Sequence, residues 1–161
     1  MYPNGIDVVW LGRDKVGHVA AFITAGLGPV PRWIEFNDDS LAKTEFQISN
    51  LPSISEVKLH VSVPRPEFYT SLAEKGLYVF DWFDIHRATK DHKNCYNKVA
   101  DPKPPLLFSQ LGDALCAMAG ATNFPEIDFA EISDVNVTNF FTDDCIVFHP
   151  DHPACHDNET Q

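Results

Sequence analysis

Residues 56–86 carry the pattern that most restricts how this chain can fold. Glu56-Val57-Lys58-Leu59-His60-Val61-Ser62-Val63 alternates strictly, which places Val57, Leu59, Val61 and Val63 on one face of a half-buried strand. Pro64 and Pro66 break that strand. Pro66 suits the first position of a helix that groups Phe68, Tyr69, Leu72 and Ala73 before Gly76 stops it. Leu77 to His86 is then apolar on both faces over most of its length, as in a strand covered on both sides. A connection of about a dozen residues containing a helix is long enough for a right-handed parallel crossover, so 56–86 predicts one β-α-β unit.

Ahead of this unit, Trp10-Leu11-Gly12-Arg13-Asp14-Lys15-Val16-Gly17-His18-Val19-Ala20-Ala21-Phe22 predicts a hairpin. Asp14 suits the first position of a type I turn and Gly17 the left-handed position that closes it, and Gly26-Leu27-Gly28-Pro29-Val30-Pro31 forms a stiff exit. Capping side chains between Asn37 and Ser40 predict a short helix at 40–49, ended by Pro52. Cys95 to Ala100 reads as a strand stopped by Asp101-Pro102-Lys103-Pro104-Pro105. Ser109 caps an expected helix at 109–119 with Leu111, Leu115 and Met118 inward, and a later strand is expected at Ile127 to Ile132. The fold class is therefore α+β: a single domain over 1–142 with a mixed twisted sheet, an N-terminal hairpin, one crossover and two or three short helices. A polar, irregular tail is expected over 143–161.

The 161 residues suit one core, and 44 % hydrophobic with 22 % charged residues is ordinary for a globular chain. Twelve Lys and Arg against 23 Asp and Glu leave a formal charge of −11, which repels nucleic acid and anionic membranes and attracts basic proteins or cationic ligands. Met1-Tyr2-Pro3-Asn4-Gly5 has no basic stretch leading into an apolar run, and no window approaches the ~18 apolar residues of a membrane span, so a cytoplasmic location is expected. Cys95, Cys116, Cys145 and Cys155 form no CxxC pair, which favours reduced thiols.

Two stretches hold residue types that do chemistry. Between Cys145 and His156, the side chains of His149, His152, Cys155 and His156, with Cys145, could bind zinc, but they match no standard ligand spacing, and a polar tail is the preferred reading. In Asp81-Trp82-Phe83-Asp84-Ile85-His86-Arg87, Asp84 and His86 point the same way on a strand, so the carboxylate could orient the imidazole. An enzyme there needs a concave pocket at the strand's exit; otherwise Asp84, His86 and Arg87 are an interaction surface where the chain leaves the sheet. Asp81 shares a face with Leu77, Val79, Phe83 and Ile85, and is expected to bond loop amides or to lie near that exit. Cys116 is expected to be buried and inert, and Trp10, Trp33 and Trp82 to be core or half-buried, an exposed one marking an interface. With no nucleophile elbow and no glycine-rich phosphate loop, neither a catalytic residue nor a cofactor is expected.

The Trp-Leu-Gly-Arg-Asp-Lys-x-Gly-His-Val-Ala-Ala-Phe hairpin, its Gly-x-Gly-Pro-x-Pro exit and Gly76-Leu77-Tyr78-Val79-Phe80-Asp81-Trp82 resemble a group of small uncharacterised bacterial proteins that look like toxin-immunity proteins. The resemblance spans residues 6 to 105 and carries no site residue with it. It implies a non-enzymatic, cytoplasmic protein-binding module whose partner is another protein, for an acidic chain a basic toxin neutralised by occlusion. A metal-binding protein or metal-dependent enzyme built on the C-terminal His and Cys cluster is the alternative.

Overall fold

The computed structural model describes residues 7–26, 28–34, 37–82 and 95–141, and the backbone of 145–146. The strands are β1 Val9–Asp14, β2 Val19–Ile23, β3 Val30–Pro31, β4 Glu56–Leu59, β5 Tyr78–Asp81, β6 Cys95–Lys103, β7 Asn123–Phe124, β8 Asp134–Asn136 and β9 Cys145–Ile146. The helices are α1 Asp38–Ser49, α2 Glu67–Ala73 and α3 Asp113–Ala121. Seven strands form one mixed sheet in the order β4-β6-β5-β2-β1-β7, with β8 also on β6, while β3 and β9 pair separately. This is the α+β class expected from the sequence, and among the described residues no helix is long and apolar enough to cross a membrane.

The hairpin forms as its turn chemistry dictates. Gly17 sits at φ +95°, Asp14 N–H donates to His18 O at 3.1 Å, and β1 and β2 run antiparallel with Trp10 opposite Phe22. Those two rings stack 4.1 Å apart. The crossover is present in a split form. β4 and β5 both run antiparallel to β6, hence parallel to each other, but β6 lies between them. This insertion leaves β4 on the sheet edge, so Leu59 is exposed and Val57 and Val61 are only half-buried.

Several boundaries depart from expectation: β4 ends at Leu59 rather than Val63, and α1 starts at Asp38 rather than at residue 40. β6 runs on through Pro102 because β5 pairs with this strand only as far as Ala100; beyond that a proline facing the β5 side forfeits no ladder bond. Ser109 lies inside a 3₁₀ turn at Phe108–Gln110, where the Gln110 side chain accepts the Leu107 N–H, and α3 starts only at Asp113. Residues 127–132 form turns rather than a strand. Their amides are taken locally, Asp128 Oδ1 accepting from Ala130 N and Asp128 O from Glu131 N, while Phe129 N donates to Asp14.

The two faces of the sheet bury different chemistry. Leu11, Val19, Ala21, Leu77, Val79 and Val99 meet the three helices in an aliphatic core. Trp10, Phe22, Tyr78, Phe80, Trp82 and Tyr96 form an aromatic layer on the other face, and the largely irregular segment 124–137 covers them with Phe124, Ile127, Phe129, Val135 and Val137. Phe22 is central to this layer, with rings of Trp10, Phe80, Tyr96, Phe124 and Phe129 at centroid distances of 4.1 to 6.1 Å.

Candidate functional site

Polar chemistry collects where the hairpin turn meets the cover segment. Asp14 is fully buried, and its Oδ1 accepts from the N–H groups of Val16, Gly17 and His18 at 3.0, 2.9 and 2.8 Å. Its Oδ2 accepts from Phe129 N at 2.8 Å, so one carboxylate both closes the turn and pins the cover. His18 Nδ1 lies 3.4 Å from Asp14 Oδ2 and 3.8 Å from Asp128 Oδ1, with hydrogen-bond geometry to neither. These three atoms lie within 4.8 Å of one another, and they are the set among the described residues that could gather around a cation. Four backbone amides account for Asp14 without one.

Beside this cluster, Lys98 anchors a second network. Its ammonium donates to Phe129 O at 2.9 Å and Ala130 O at 3.3 Å, pairs with Asp101 Oδ1 at 3.1 Å, and lies 5.6 Å from the centre of the Tyr78 ring. Asp101 Oδ2 receives His60 Nε2 at 2.8 Å. Tyr78 is 4 % exposed, and burial, followed by the carboxylates of Asp101, Asp128 and Asp14, pushes its hydroxyl up to about 12. An anionic phenolate is therefore disfavoured at neutral pH.

This network opens onto a notch in the sheet edge. β4 pairs with the second half of β6 and β8 with the first, so the two short strands meet end to end on one flank of β6. The notch, about 600 Å³, is lined by His60, Lys98, Asp101, Glu131, Ser133 and Asp134 among others. Glu131 and Asp134 form no ion pair among the described residues, and the one lysine of the lining is held by Asp101 and two carbonyls. No hydroxyl or thiol bonds to His60 among the described residues. The charged side chains of the lining leave the notch negative.

The residues singled out in the sequence fare unequally. Asp84, His86 and Arg87, and the tail residues His149, His152, Cys155 and His156, lie outside the described residues, and of Cys145 only the backbone is described, paired with Pro31. A hollow of about 620 Å³ does open at the exit of β5, lined by Asp81, Trp82, Tyr69 and Arg65 among others. Asp81 is buried as its face requires and is the last residue of β5, at the exit where it was expected, and it accepts a hydrogen bond from the Tyr69 hydroxyl of α2. Cys116 is half-buried against the aliphatic core, not fully enclosed as expected. Trp10 and Trp82 are core residues, whereas Trp33 is 38 % exposed, its indole N–H bonded to Thr122 Oγ1 at 2.8 Å and its ring edge-on to Phe141.

Sequence reasoning placed Asp14 in its turn but missed Asp128 as its neighbour and missed the network of Lys98, Asp101 and His60 beside it. The first depends on a contact between Asp14 and Phe129 across 115 positions and the second on β4 pairing with β6, neither of which local spacing announces. Comparison with known proteins returns no matching family model, no matching curated protein and no matching solved structure.

Proposed function

We propose that the chain is a non-enzymatic protein-binding module that neutralises a basic toxin inside the producing cell by covering its working surface, as immunity proteins do. The notch carries this reading: Glu131 and Asp134 stand at a sheet edge with no cationic partner among the described residues. The formal charge of −11 supports it, because an acidic surface steers a basic partner and competes with that partner's anionic substrate. The hairpin and β5 motifs supply the resemblance to immunity proteins.

The test takes the product of each gene flanking this one in turn and mixes it with the chain. Association is followed by stopped-flow at low and high salt, with the wild type and with Glu131→Lys combined with Asp134→Lys. Electrostatic steering predicts an association rate that falls about tenfold or more with salt and with the double reversal. Failure of every flanking product to form a complex with the chain overturns the reading; a complex whose rate ignores both salt and charge reversal removes the notch from it.

A further inference from the structure

The cleft between α1 and α3 has the chemistry of a small-molecule site, independently of the notch. The two helices and the start of β1 border a space of about 410 Å³, lined by Leu41 and Thr44 from α1, by Leu115, Ala117 and Met118 from α3, and by Trp33. This volume lies in the lower part of the ~300–1,000 Å³ range of ligand pockets. Ala114 and Ala117 are exposed on α3, and their short side chains leave the space between the helices unfilled.

The charge here runs against the rest of the molecule. Acidic residues outnumber basic ones 23 to 12 in the chain, yet among the described residues lining this cleft there is no carboxylate, and Lys43 is the single charged side chain. Lys43 forms no ion pair among the described residues. The indole of Trp33 is 38 % exposed, with its N–H already committed to Thr122, which leaves its ring available for apolar contact.

We propose that this cleft binds a small amphipathic organic anion, its apolar body lying between Leu41, Met118 and Trp33 and its carboxylate or sulfonate meeting the Lys43 ammonium. The occupant is an anion because Lys43 is the only charge offered by the described lining residues, and it is a small molecule because about 410 Å³ suits a medium-length chain or a fused ring.

The full chain is titrated with 1-anilinonaphthalene-8-sulfonate, and the bound dye is then competed with decanoate and with decanol. The expected result is saturable one-to-one binding, displacement by decanoate at several-fold lower concentration than by decanol, and quenching of Trp33. Ala117→Trp fills the cleft and should weaken dye binding at least tenfold. Lys43→Glu should erase the preference for decanoate while decanol competition persists. Each variant must keep a cooperative urea transition; if Ala117→Trp does not, Ala114→Phe replaces it. Non-saturable dye binding, undiminished binding to the filled variant, or equal competition by decanoate and decanol in the wild type overturns the proposal. None of these outcomes bears on complex formation with the toxin-like partner.

Discussion

Replacing Asp14 by alanine tests whether one carboxylate holds two distant parts of the fold together. Four backbone N–H groups lose their acceptor at once, three in the turn and one at Phe129. Hydrogen bonds to a charged group contribute ~1.5–3 kcal/mol each, but the four are not additive and water replaces part of them. The turn amides lie beside the half-exposed Val16, so water recovers most of their bonds. The Phe129 bond is buried, and an orphaned buried donor costs ~1–3 kcal/mol. Removing a fully buried charge returns some desolvation energy in the opposite direction. The net expectation is a loss of about 3 kcal/mol, or roughly 6–12 °C in Tm at this chain length. Asp14→Asn keeps one acceptor oxygen for the turn but turns an amide NH2 toward Phe129 N, so about half that loss is expected. Urea unfolding followed by tryptophan fluorescence gives both values. A loss below about 1 kcal/mol for the alanine variant, or equal losses for the two variants, refutes the account.

Other perturbations probe the aromatic face. Tyr78 has its folded pKa raised from 10.0 to about 12, so it stabilises the fold fully below pH 10 and loses that contribution, worth up to roughly 3 kcal/mol, as pH climbs through the raised value; Tyr78→Phe should flatten this alkaline decline in urea unfolding measured across pH 9–12. A methyl group on Gly28 would stand 2.5 Å from the Tyr96 hydroxyl, so Gly28→Ala should cost ~1–3 kcal/mol, and adding Tyr96→Phe should cost less than the sum of the two single changes. Phe22→Ala removes the ring against which five others pack and should cost ~3–5 kcal/mol, read as a loss of near-ultraviolet circular dichroism at temperatures where the wild type is folded.

Local chemistry was readable in the sequence wherever neighbours in the chain are neighbours in space. Asp14 and Gly17 announced the turn, Asn37 the start of α1, and Gly76 the end of α2, each through a conformation or a side-chain bond within four residues. Pairing order was not readable. The alternation of Val57, Leu59 and Val61 identifies a strand but is silent about β6 entering between β4 and β5, and that insertion turns an expected half-buried strand into an exposed edge. Residues 127–132 misled for a related reason. Ile127 and Phe129 are apolar because they cap an aromatic layer, and apolar character alone does not distinguish a cover from a strand. The notch inherits both difficulties, since it exists only where β4 and β8 abut.

The order in which the ribosome releases this chain runs against the order in which its sheet is completed. β1 and β2 emerge first and can pair with each other, but β2 must wait for β5 on one side and β1 for β7 on the other. The aromatic layer around Trp10 and Phe22 stays open to water until the segment ending near Val137 has been made, more than 110 residues after the hairpin. A nascent chain stalled before that point therefore displays a stacked Trp and Phe pair on an unfinished sheet, a natural hold for a chaperone, and truncations short of Val137 should accumulate in chaperone-bound or aggregated form rather than as shortened versions of the native domain.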